Sequence, residues 1–143
     1  MQRVIGACLL LLGLTLSISS QTINVGNRFA GITNPPAPIA ITGAATTQLI
    51  AAPSDVTQGV YVTRWDAQVS VLAGTFQLVY GTGVNCGTGR GTITGVYSWT
   101  PQSGVSIGNG GGVVYAVPVG NAVCAVTTGS TASFNGAMGY LIQ

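Results

Sequence analysis

Residues 59–80 read Gly59-Val60-Tyr61-Val62-Thr63-Arg64-Trp65-Asp66-Ala67-Gln68-Val69-Ser70-Val71-Leu72-Ala73-Gly74-Thr75-Phe76-Gln77-Leu78-Val79-Tyr80. This stretch decides the fold class. It holds two runs, 59–71 and 74–80, dominated by Val, Tyr, Thr, Trp and Phe, the residues that fit a pleated, half-buried surface. Val60 and Val62 step by two, as do Phe76, Leu78 and Tyr80, and a period of two is the signature of a strand with one buried face.

The pattern continues outward in both directions. Further β-type runs lie at 46–51, 91–99, 104–107, 112–117, 121–127 and 131–142, each bounded by Gly, Asn, Pro or Ser. In the last run Phe134, Gly136, Met138 and Tyr140 again step by two. No segment after residue 20 keeps a helical period over ten residues, and the strong helix formers Lys and Glu are absent. Short strands at close spacing, with no helices to make parallel crossovers, predict an all-β fold. The expected form is a single antiparallel β-sandwich, jelly-roll-like, with Val62, Phe76, Leu78, Val113, Tyr115 and Tyr140 facing the core.

Two segments precede that domain. Residues 1–20 carry Arg3, then an apolar stretch, then Ser17-Ile18-Ser19-Ser20, the three-part pattern of a secretory signal peptide. The stretch is short for a membrane span; an uncleaved anchor is the alternative. Residues 21–43 are rich in Gly, Asn, Pro and Ile. Pro35, Pro36 and Pro38 forbid a helix and disfavour a central strand, so an extended Pro-rich arm is expected there. Its apolar members, Ile39 and Ile41 among them, argue that it lies on a surface. The sandwich domain is expected over 44–143.

Composition removes several chemistries. The chain of 143 residues has four Arg, two Asp and no histidine, and only 4% of it is charged, against about 25% in an average domain. Without His or Lys there is no imidazole base, no His-ligated metal and no Schiff base. A net charge of +2 is too small for sustained nucleic-acid binding, which needs several phosphate contacts. No metal or cofactor is expected. Asp55 and Asp66, the sole carboxylates, suit a turn and an exposed strand position better than a glycosidase pair, which must face each other across a cleft.

Two motifs invite a site reading. Gly81-Thr82-Gly83-Val84-Asn85-Cys86-Gly87-Thr88-Gly89-Arg90-Gly91 lacks the Lys and the following helix of a phosphate loop. It reads as a long hairpin loop with positive φ at several Gly. Ile107 to Gly112 reads as a turn around Asn109-Gly110. Cys86 and Cys124 are the cysteines left once the signal segment is removed. An exported chain can join them in a disulfide; the alternative is two reduced, buried thiols. Trp65 and Trp99 either anchor an interface, where buried aromatics carry much of the energy, or belong to the core.

Beyond these readings, the run from Gln48 to Gln143 resembles small tailed-phage and prophage virion-associated β-rich proteins. The resemblance rests on Gly81 to Gly89 after Leu78-Val79-Tyr80, on Thr94-Gly95-Val96-Tyr97, on Gly108 to Gly112, on Val117 to Cys124 and on the closing Gly136 to Gln143. It implies a decoration-like structural protein and no catalytic residue. The leading expectation is thus a non-enzymatic structural or decoration subunit of a phage-like particle. It would pair with copies of itself, a trimer being the expected state, and with other virion or surface proteins. Pro35, Pro36 and Pro38 would cross to a neighbour. Its location would be the virion or the cell exterior, with membrane contact only through the signal segment. The alternative is a secreted cell-surface, matrix or filament β-protein. An outer-membrane barrel and a hydrolase rank below both.

Overall fold

The computed structural model of the protein describes residues 34–108 and 111–143. It is an antiparallel β-sandwich. The strands are β1 (Ala37–Thr42), β2 (Ala45–Ile50), β3 (Val60–Val69), β4 (Gly74–Thr82), β5 (Thr88–Thr92), β6 (Tyr97–Trp99), β7 (Gly104–Ile107), β8 (Tyr115–Ala116), β9 (Ala122–Thr128) and β10 (Ser133–Ile142). One sheet runs β1-β10-β3-β7 with β8 also on β3; the other runs β2-β9-β4-β5 with β6 also on β4.

The pairs β5–β6 and β7–β8 are each one strand interrupted. Thr92 pairs with Val79 and Tyr97 with Phe76, so residues 93–96 bulge out where β4 advances by only Gln77 and Leu78. Ile107 pairs with Trp65 and Tyr115 with Val62, so the strand pairing along this edge lapses opposite Thr63 and Arg64. Counted this way, eight strands remain in the orders 1-8-3-6 and 2-7-4-5. This is a jelly roll, an architecture of two wrapped Greek keys. The strand expected over 91–99 is therefore two, and only Tyr115–Ala116 of the run 112–117 is strand. Val113, expected in the core, is exposed because it precedes the start of β8 and is not part of a strand. Tyr115 and Tyr140 are half-buried against the core.

The core lies between the sheets and is centred on aromatic rings. Trp65 and Phe134 come from one sheet, Phe76, Tyr97 and Trp99 from the other. Phe76 stacks on Trp65 with centroids 5.5 Å apart and on Trp99 at 5.4 Å. Ile39, Val60, Val62, Val69, Leu78, Val123 and Met138 fill in around them, all buried. Tyr61-Val62-Thr63-Arg64 carries a bulge: Gly139 pairs with Arg64 and Tyr140 with Val62, which leaves Thr63 as the extra residue. The bulge moves the inward face of β3 from Val60 and Val62 to Trp65, Ala67 and Val69.

Residues 37–42, expected as the end of an extended arm, are edge strand β1. It alternates buried Ala37, Ile39 and Ile41 with exposed Pro38, Ala40 and Thr42. Pro38 is compatible with this because an edge strand has one side that needs no N–H donor. The signal segment expected over 1–20 and the arm residues 21–33 lie outside the described residues.

Candidate interaction surface

A one-turn 3-10 segment (Val84–Cys86) folds back after β4 and is joined to β9 by the Cys86–Cys124 disulfide, whose Cα atoms are 6.2 Å apart. The expected pairing is thus present. Its consequence is a second, smaller core on the outer face of the β2-β9-β4-β5 sheet, made of Val79, Cys86, Ala122, Cys124 and Val126. Strand β9 is in this way buried on both faces.

The loop is held by several independent contacts. Gly83 and Gly89 take positive φ as expected, and so do Asn85 and Cys86, at 49° and 55°. The Asn85 Oδ1 accepts from the Gln48 backbone N–H at 3.3 Å. Arg90 donates through Nε to the Cys86 carbonyl at 3.2 Å and through Nη2 to the Asn85 carbonyl at 3.5 Å. The guanidinium thus caps carbonyls that a left-handed turn leaves without ladder partners. Val84, at the tip, is 86% exposed. No sequence signal separated this clamped loop from a plain hairpin loop, because the clamp is made by Gln48 and Cys124, both distant in sequence.

The outer face of the other sheet carries polar side chains. Asp66, Gln68, Ser106 and Asn135 rim a shallow hollow of about 400 Å³, floored where Gly104 and Gly136 leave no side chain. Asp55 lies elsewhere, on the β2–β3 connection. Its carboxylate accepts from the Thr57 hydroxyl at 2.7 Å and the Thr57 N–H at 2.9 Å, an Asx turn. These bonds hold its pKa below the ordinary carboxylate value, the hydroxyl first and the N–H second. Val60 at the start of β3 is six steps along the strand from Asp66, roughly 20 Å of extended chain, and Asp55 lies before that start, so the two carboxylates do not share a cleft. Among the described residues no three of His, Cys, Asp or Glu cluster as metal ligands would.

The two tryptophans are not at the surface. Trp65 is fully buried and Trp99 nearly so, which corrects their assignment to an interface: they face inward at the centre of the sandwich. The Trp65 Nε1 hydrogen has no acceptor among the described residues. Pro35, Pro36 and Pro38 are exposed. Large apolar side chains are exposed at both ends of the sandwich, Val71 and Leu72 at one, Val56 and Val119 at the other.

No protein-family model, curated protein or solved structure matches this chain. What fold and surface define is a class: a disulfide-clamped jelly roll whose distinctive feature is a weakly charged outer surface.

Proposed function

We propose that this protein is a non-enzymatic structural or decoration subunit of a phage-like particle, assembling with copies of itself through the outside of its jelly roll. The observation that carries the reading is the charge distribution. Asp55, Arg64, Asp66 and Arg90 are the charged side chains among the described residues, and Arg90 is engaged with backbone carbonyls. Soluble monomers keep about a quarter or more of their surface charged, which holds copies apart. Charge is also what interface cores lack. Small and polar side chains, with Arg64 and Asp66 the only charges among the described residues of the β1-β10-β3-β7 sheet, suit close packing against another protein. The jelly roll supports the reading in a general way, as an architecture used by viral capsid domains and also by lectins.

The make-up of the hollow beside Asp66 supports the non-enzymatic reading. It offers one carboxylate, hydroxyl and amide groups, with no base, no nucleophile–base pair and no second acid. A secreted surface or filament protein is the second reading, favoured by the disulfide, since such bonds persist in oxidising compartments.

Light scattering on the purified chain at micromolar concentration tests the assembly reading. The expected mass is a small multiple of one chain. A stable monomer overturns it. Localisation by immunogold on particles and on cells separates the virion from the surface reading.

A further inference from the structure

Each sheet has two edges, and the four edges differ. The β5–β6 edge is interrupted by residues 93–96, and pairing on the β7–β8 edge lapses between Ile107 and Tyr115. The β2 edge has an irregularity between Gln48 and Ile50, and the Asn85 side chain occupies the Gln48 N–H. Bulges and covers of this kind are how proteins without edge charges prevent further strand pairing. β1 has neither. It pairs with β10 in unbroken register from Ala37↔Met138 to Thr42↔Ser133, and no strand among the described residues lies on its other side. Among the described residues, no backbone hydrogen bond outside its ladder involves residues 37–42.

The orientation of that open edge follows from Pro38. Proline fits an edge strand when its nitrogen faces away from the ladder, and backbone groups two residues apart face the same side. Ala40 and Thr42 therefore turn N–H and C=O outward, and no charged side chain on β1 guards them.

We infer that the open edge of β1 receives residues 21–33 of a second copy of this chain as an added strand. This rests on the self-association proposed above and names the contact that makes it. The segment Gln21-Thr22-Ile23-Asn24-Val25-Gly26-Asn27-Arg28-Phe29-Ala30-Gly31-Ile32-Thr33 enters β1 directly through Asn34-Pro35-Pro36. Thr22 to Val25 alternates polar and apolar residues, as a strand with one buried face does. Fully extended, the segment is longer than the roughly 20 Å that a six-residue edge presents. Its own β1 is a poor acceptor. Folding back would need a tight reversal at Pro35-Pro36, and proline at the second central position of a common turn is disfavoured. Two consecutive prolines instead continue extended and carry the segment toward a neighbour. Strand addition at a sheet edge is a recurring mode of recognition in which backbone bonds supply affinity and alternate side chains supply choice. Donation from each copy to the next is a heterologous contact, which closes into a ring when the rotation permits.

The test uses the full chain and two variants. Ala40→Pro removes only an outward-facing N–H and leaves the β1–β10 ladder intact. A double variant, Ile23→Pro with Val25→Pro, disables the donated segment without touching the sandwich, so one variant remains informative if the other fails to fold. Light scattering gives the mass, and a fluorescent synthetic peptide of residues 21–33 reports binding to the edge by anisotropy. Both variants should fall to the mass of one chain. The peptide should bind the double variant, whose edge is open and unfilled, and lose at least ten-fold in affinity for Ala40→Pro. An oligomer whose mass survives in a folded variant overturns this edge and leaves self-association standing. A monomeric parent chain overturns both.

Discussion

Gly136 shows how closely backbone decides this fold at the residue scale. It sits in β10 opposite Ala67, and a Cβ there would run into the Asp66 carbonyl oxygen. That atom belongs to the backbone of the neighbouring strand and cannot rotate away. Gly136→Ala should therefore destabilise the protein by about 1–3 kcal/mol, the range for overpacking a tight site, read as a lower urea midpoint. Trp65→Ala should cost about 3–5 kcal/mol, the range for large aromatic truncations in a core. It removes a ring that stacks on Phe76 and meets Tyr97 edge-on. A surface-like effect below about 0.5 kcal/mol would contradict the burial of Trp65. The alternation of Phe76, Leu78 and Tyr80 made the inward face of β4 legible in the sequence. Trp65 was not legible in the same way, because the extra Thr63 shifts the parity of β3 midway. A bulge is set by the register of β10 against β3, and Thr63 carries no local mark of it. Titration is also a residue-scale matter. Asp55 has its pKa lowered by Thr57, so its contribution is present above the unfolded carboxylate value and is lost as pH falls through the lower folded one. Tyr97 has its pKa raised, chiefly by burial and then by Tyr115, so its contribution holds below the unfolded phenol value and is lost as pH rises through the folded one. With no histidine in the chain, thermal melts should show a flat plateau between about pH 5 and 9. A midpoint that moved steeply near pH 6.5 would contradict this.

Elements that the sequence concealed share one property: their partners are remote. β1 was hidden by Pro38, since a proline demotes a run unless the strand is known to lie at an edge. Its edge position is fixed by β10, nearly a hundred residues later. The split of 91–99 into β5 and β6 is likewise set by β4. There Leu78 bonds to Ile93 and Thr94 through its carbonyl and to the Thr94 hydroxyl through its N–H. The Cys86–Cys124 pair was legible because only two cysteines follow residue 20. What it does was not, because the small outer core forms only when Val79, Ala122 and Val126 are brought beneath the loop. This gives the element-scale prediction. The bond closes a separation of 38 residues, for which the chain-entropy model gives roughly 4 kcal/mol. The double variant Cys86→Ser with Cys124→Ser should lose about 3–4 kcal/mol in urea unfolding while its far-UV spectrum stays β-rich. The main aromatic core lies on the opposite face of the sheet and does not depend on the clamp. Loss of all β signal at low denaturant would instead make the loop part of the folding core.

For the whole molecule, the proposed self-association raises the question of what force would bring copies together. Two answers predict different responses to salt. If assembly were electrostatic, screening would weaken it, because the Debye length falls from about 10 Å at 0.1 M to about 3 Å at 1 M. The described surface leaves little for such screening to act on. Arg90 is spent on the carbonyls of the 83–87 loop, Asp55 is closed into its own turn, and Arg64 and Asp66 are adjacent charges of opposite sign on β3. The remaining contributors are backbone groups on the open β1 edge and small or apolar side chains such as Ala40, Thr42 and the exposed valines. Neither kind of contact responds much to ionic strength, and burial of apolar surface is strengthened by sulfate, which is excluded from protein surfaces. The dissociation constant measured by sedimentation should therefore change by less than about two-fold between 0.1 and 1 M sodium chloride and tighten in ammonium sulfate. A ten-fold weakening in sodium chloride would place the contact on charges, with Arg28 and Arg64 the first to replace. Such a result would move the interface away from β1 and contradict the uncharged surface as the cause of assembly.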